Sequence, residues 1–133
     1  MAKRKPELVP VYVIDPENRI VRTNRIDSSF DGVCAQIGCE HLMGMPFSGS
    51  TLFVNKSGKY VDGGVYFARN GHNEILSGLG VVAKIRDSID SYKIQHTDLK
   101  LNDIRKGIQF FIASHREHGE MDTEDVPQRT GIA

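Results

Sequence analysis

Short apolar runs of strand length, broken by polar and glycine-rich turns, dominate this chain, and two stretches carry helical spacing instead. Residues 9–14 are β-branched and aromatic, Asp15-Pro16-Glu17-Asn18 sets Asp and Pro where a type I turn wants them, and Ile20-Val21-Arg22-Thr23 returns. That predicts an opening hairpin. Asp27-Ser28-Ser29 then offers capping oxygens ahead of Phe30, Val33, Cys34 and Ile37, whose i, i+3, i+4, i+7 spacing marks one helical face, and Gly38 stands where such a helix stops. Strands are expected near 41–45, at 51–55, near 61–67 and at 79–85. Asn55-Lys56-Ser57-Gly58-Lys59 reads as a hairpin turn, so the strands flanking it are expected to pair antiparallel. Residues 88–99 alternate weakly and fit strand or loop.

A closing helix is expected with Asn102 as N-cap, Leu101 as staple residue, and Ile104, Ile108, Phe111 and Ile112 along one face. Gly107 weakens it by about 1 kcal/mol relative to Ala, less than the apolar stripe contributes. The fold class that follows is α+β: a small, mainly antiparallel sheet of about five strands with two helices packed on it through Phe30, Val33, Ile37, Ile104, Ile108 and Phe111. At 133 residues the chain is one domain's worth of material. Three parts are expected: a basic, fraying arm over 1–8 with Lys3, Arg4 and Lys5, a single domain over 9–116, and a mobile acidic tail over 117–133.

The Val13-Ile14-Asp15-Pro16 opening, the short helix, the Leu52-Phe53-Val54-Asn55-Lys56-Ser57-Gly58-Lys59 segment, the Gly78-Leu79-Gly80-Val81-Val82 strand and the Asn102-capped helix together resemble a family of small bacteriophage and mobile-element proteins. The resemblance covers roughly 9–112. Where members of that family often carry Leu-Pro-x-Asn after the hairpin, this chain has Val61-Asp62-Gly63-Gly64. The family has no assigned activity, so the resemblance implies an origin and an accessory role rather than a mechanism.

Charge narrows the partners little, because Lys plus Arg and Asp plus Glu both number 17. Nucleic acid is not an expected partner: Lys3-Arg4-Lys5 and Arg105-Lys106 make only a small basic patch. No run approaches the roughly 20 apolar residues of a membrane span, and no signal-peptide pattern opens the chain. With two cysteines, too few for a disulfide framework, a reducing cytoplasm, that of the host cell, is the expected location.

The residues give no complete catalytic constellation. Cys34, Cys39, His41 and His72 are zinc-ligand types, but their spacing matches no standard zinc module, and Cys34 sits on an apolar stripe where cysteine packs as a small hydrophobe. His72-Asn73-Glu74 has the His-x-Glu spacing of zinc deaminases without the companion Pro-Cys-x-x-Cys. Ser48-Gly49-Ser50 reads as a turn, not a nucleophile elbow, and strand-like residues follow Gly63-Gly64 and Gly78-Leu79-Gly80 where a phosphate cradle needs a helix. No metal and no cofactor are expected. The longest polar, turn-rich connection is 68–74, and Arg69, Asn70, His72 and Glu74 on it are the candidate binding residues.

The function expected is that of a non-enzymatic accessory protein of phage or mobile-element origin that binds a host macromolecule, a host protein before others. A small enzyme or nucleotide-binding protein using the 69–74 loop with Cys39 or His41 is the first alternative, and a DNA-binding accessory protein the second. An open sheet also leaves edges through which a homodimer could form.

Overall fold

Val9, Val11 and Val13 point to one side of the first strand while Tyr12 and Ile14 point to the other, and all five are buried. A strand apolar on both sides needs cover on both, and this sets the architecture. The computed structural model describes residues 7–56, 64–72, 74–87, 92–115 and 121–128. Their elements are β1 (Leu8–Asp15), β2 (Ile20–Asp27), α1 (Phe30–Ile37), β3 (Leu42–Phe47), β4 (Ser50–Asn55), β5 (Val65–Arg69), β6 (Gly80–Asp87), β7 (Tyr92–Gln95), α2 (Leu101–Lys106), β8 (Ile108–His115) and β9 (Met121–Val126).

The strands are mainly antiparallel and the class is α+β, but they form two sheets where one of about five strands was expected. A six-stranded sheet runs β2-β1-β6-β4-β3, with β7 paired to the end of β6, and a three-stranded sheet runs β5-β8-β9. β6 is the centre of the large sheet. Its first half pairs with β1 through Tyr12↔Val82 and with β4 through Leu52↔Val82, and its second half passes to β7 through Ile85↔Ile94.

The opening hairpin forms as expected, in full register from Leu8↔Asp27 to Asp15↔Ile20. Asp15 holds its turn: Asn18 donates from its backbone N at 3.2 Å and from Nδ2 at 2.9 Å, and Arg22 Nε lies 3.8 Å away. On one face of the large sheet, Val33 of α1 is buried with Val9, Val11, Val13, Phe53 and Val81, flanked by Phe30 and Ile37. Ser29 caps this helix by accepting from Gly32 N at 3.1 Å, and Gly38 ends it at φ 77°. On the other face, Phe67, Ile108 and Phe110 of the small sheet and Ile104 of α2 pack against Tyr12, Ile14, Leu52, Val54 and Val82. A Cβ added at Gly80 would lie 2.8 Å from Phe67 Cζ, so the layers meet there at van der Waals distance.

Three expectations are corrected. The closing helix is only α2, which Lys100 caps rather than Asn102; Lys100 N donates to Asp103 Oδ2 at 2.8 Å. Ile108 and Phe111 belong to β8, because Gly107 closes the helix, its N–H shared between the carbonyls of Asp103 and Ile104, and Ile108 and Phe110 then alternate inward with period two. The strands either side of 55–59 are not a hairpin, since β4 pairs with β3 and β6 while β5 pairs with β8. Residues 57–63 lie outside the described residues, as do 1–6 of the basic arm. The acidic stretch expected to be a mobile tail contains β9, paired to β8 from His115↔Met121 to Phe110↔Val126. Within the ambiguous 88–99, four residues are strand β7.

Glu7 ties β1 to the strands beyond. Arg86 Nη2 donates to both its oxygens at 3.2 and 3.3 Å, Lys93 Nζ lies 3.7 Å from Oε2, and Ser28 Oγ donates at 3.3 Å. The Arg86 guanidinium above all holds this carboxyl below its ordinary 4.5, with Lys93 and Ser28 adding and its slight desolvation opposing.

Two outcomes are expected. Phe67→Ala removes the ring that joins the two sheets and should lower the unfolding free energy by about 3–5 kcal/mol in urea denaturation; an unchanged midpoint would show that the small sheet does not pack there. Because the Glu7 pKa is depressed in the fold, its contribution to stability is complete above the ordinary 4.5 and fades as pH falls through the folded value. In an NMR pH titration Arg86→Met should return the Glu7 carboxyl towards 4.5.

Candidate functional site

Arg69 ends β5, and the chain then turns through Asn70 and Gly71, where Gly71 takes φ 81° and His72 N donates to Arg69 O at 3.1 Å. Two other corners meet this turn. One is the β3–β4 connection, a two-residue hairpin loop with Ser48 at φ 46° and Gly49 at φ 81°, the left-handed pair that fits the twist of the flanking strands. The other is the junction of α2 and β8 at Lys106-Gly107.

Polar bonds fasten the corners together. Asn70 N donates to Gly107 O at 2.8 Å, Asn70 Nδ2 donates to Lys106 O, and Arg69 Nη1 donates to Pro46 O at 2.9 Å. A Cβ on Gly107 would lie 2.6 Å from Phe47 Cζ, so only glycine lets the Phe47 ring lie against this junction.

These corners enclose a hollow of about 200 Å³ lined by Pro46, Phe47, Ser48, Arg69, Asn70, His72, Lys106 and Gly107. Arg69 and Lys106 bring two cationic side chains, His72 an imidazole and Ser48 a hydroxyl, and the described lining residues include no carboxylate. Arg69 spends one N–H on Pro46 O and keeps further donors in its planar fork. Such a lining suits a carboxylate or phosphate group.

Of the four expected binding residues, Arg69, Asn70 and His72 come together here and Glu74 does not. The chain returns to β5 straight after the loop, with Leu76 N donating to Phe67 O at 2.7 Å and Phe67 N to Leu76 O at 3.0 Å. Glu74 thereby lines a second hollow of about 240 Å³ with Met43, Val54, Asn55, Lys56, Ile75, Leu76 and Ser77. The His-x-Glu spacing therefore brings no common site.

Lys106 and Ser48 complete the hollow and were not grouped with the loop from sequence. No local signal marks their approach: Gly107 reads in the sequence only as weakening a helix, and its contact with Phe47 joins distant parts of the chain. Lys106 is exposed at the hollow, while Arg105 beside it is half-buried and its Nε has no hydrogen-bond partner among the described residues.

Neither Cys39 nor His41 lines the hollow. Cys34 and Cys39 are half-buried and in contact, and burial first, then the Cys34 thiol, pushes the Cys39 thiol up to about 11. Among the described residues no group of three or more His, Cys, Asp or Glu is placed to hold a metal ion, and no helix is long and apolar enough to cross a membrane.

Asn70→Ala removes the side-chain bond to Lys106 O and leaves the backbone bond to Gly107 in place. It should cost about 0.5–1.5 kcal/mol in thermal denaturation; no loss would mean that the side chain does not hold the corner. Compared with protein-family models, with curated proteins and with solved structures, the chain finds no match.

Proposed function

We propose that this chain is a non-enzymatic accessory protein of bacteriophage or mobile-element origin that acts in the host cytoplasm by binding a host protein. The single observation that supports this reading is the cation-lined hollow at the meeting of three turns, with Arg69, Lys106 and His72 on it and no acid among the described residues that line it. An acidic side chain or a short acidic segment on the partner's surface fits its chemistry, with Arg69 and Lys106 as the charge contacts and Ser48 and Asn70 at the rim.

Size favours a macromolecular partner over a free nucleotide. Pockets for small molecules occupy about 300–1,000 Å³, and this hollow has room for one protruding group. A second copy of the chain is a weaker fit at β3, one edge of the large sheet, because Pro46 removes a backbone donor there.

Capture of a host protein by the immobilised wild-type chain, and its loss in the double variant Arg69→Glu, Lys106→Glu, is the expected result. The affinity for the captured protein should fall by more than about tenfold, since each substitution turns an attraction into a like-charge contact. Equal capture by both proteins, or turnover of a substrate by a purified chain that captures nothing, would overturn the reading.

A further inference from the structure

The two cysteines sit at a structurally special pair of positions. Cys34 lies in the last turn of α1, Gly38 takes the left-handed conformation that ends the helix, and Cys39 follows it. The N–H groups of Gly38 and Cys39 both donate to Cys34 O, at 2.7 and 3.1 Å. The longer bond is the outer bond of a Schellman-type helix end, whose geometry turns the side chains at these two positions towards each other, usually as an apolar pair. Here both are cysteine, and the Cys34 thiol lies near enough to help raise that of Cys39. A backbone bond across the pair keeps the residues within the Cα separation of about 4.4–6.8 Å at which a disulfide closes. Both side chains are half-buried, so solvent reaches the site.

We propose that Cys34 and Cys39 form a modification site, a dithiol that closes to an intrachain disulfide by exchange with a low-molecular-weight disulfide. The Cys34 thiolate attacks one sulfur of the small disulfide and expels a first thiolate. Cys39, on losing its proton, attacks the Cys34 sulfur and expels the second. The two protein thiols lose two electrons and two protons, and the small disulfide gains them as two thiols. Cys34 leads because the Cys39 thiol, raised to about 11, is seldom ionised near neutrality. The closed bond ties the last turn of α1 to the start of the connection that leads into β3, whose far end carries Pro46 and Phe47 of the cationic hollow.

The test uses the full chain, reduced, then equilibrated with reduced and oxidised glutathione at several ratios, acid-quenched and measured as intact protein and as peptides by mass spectrometry. The folded chain should lose two hydrogen masses without an adduct and yield a Cys34–Cys39 cross-linked peptide. It should do so with an equilibrium constant about tenfold more favourable than the urea-unfolded chain, about 30 mV for a two-electron couple. Cys39→Ser should instead retain one glutathione on Cys34. Equal equilibrium constants in the folded and unfolded chains, glutathione accumulating on both cysteines of the wild type, or a folded chain that stays reduced where the unfolded one oxidises, would each overturn the proposal.

Discussion

A sheet whose central strands are apolar on both faces cannot be left half covered, and the rest of this molecule follows from that constraint. β1, β4 and β6 bury Val11, Val13, Phe53 and Val81 towards one side and Ile14, Leu52, Val54 and Val82 towards the other. At about 25 cal/mol per Å² of apolar surface, leaving either side in water would forfeit several kcal/mol, comparable to the whole net stability of a small domain. One helix of eight residues suffices for the first side because β7 and the flanking Phe30, Ile37, Leu42 and Leu79 widen its cover. The second side receives a further sheet, so two buried clusters lie on the two faces of the large sheet.

The second layer creates the hollow as a by-product of its connections. β5 must enter the small sheet and the chain must return to β6, while α2 must stop before β8 can begin; both transitions occur at the end of the molecule where β3 turns into β4. Gly107 serves twice there. Its amide closes α2, and its missing side chain admits the Phe47 ring. Among the described residues, the bonds that hold this corner end on the backbone carbonyls of Pro46 and Lys106 rather than on carboxylates.

Alternation and turn chemistry made much of this legible in the sequence. The Asp15-Pro16 turn, the Ser29 cap, the Gly38 stop and the Ser48-Gly49 turn depend on residues within four positions of one another, and each forms. What was not legible depends on distant pairing. Ile104, Ile108, Phe111 and Ile112 satisfy a helical stripe, and only the neighbours supplied by β5 and β9 make Ile108 and Phe110 the inward pair of a strand. The same holds at the site. The loop bearing Arg69, Asn70 and His72 could be recognised from its polarity, but its junction with Ser48 and Lys106, and the departure of Glu74 to another hollow, follow from contacts across more than twenty residues of sequence.

Strand β9 shows how composition and conformation can part company. Its sequence, Met-Asp-Thr-Glu-Asp-Val, has the acidity of a solvated segment, and Glu124 and Asp125 do face solvent, yet its backbone completes the ladder of β8. Among the described strands it is an outer one of the three-stranded sheet. A second molecule approaching this edge to edge would set carboxylate against carboxylate, and like charges directly opposite one another oppose such pairing. The same acids that make the segment look unstructured thus place negative charge along an outer strand, where it works against a like edge.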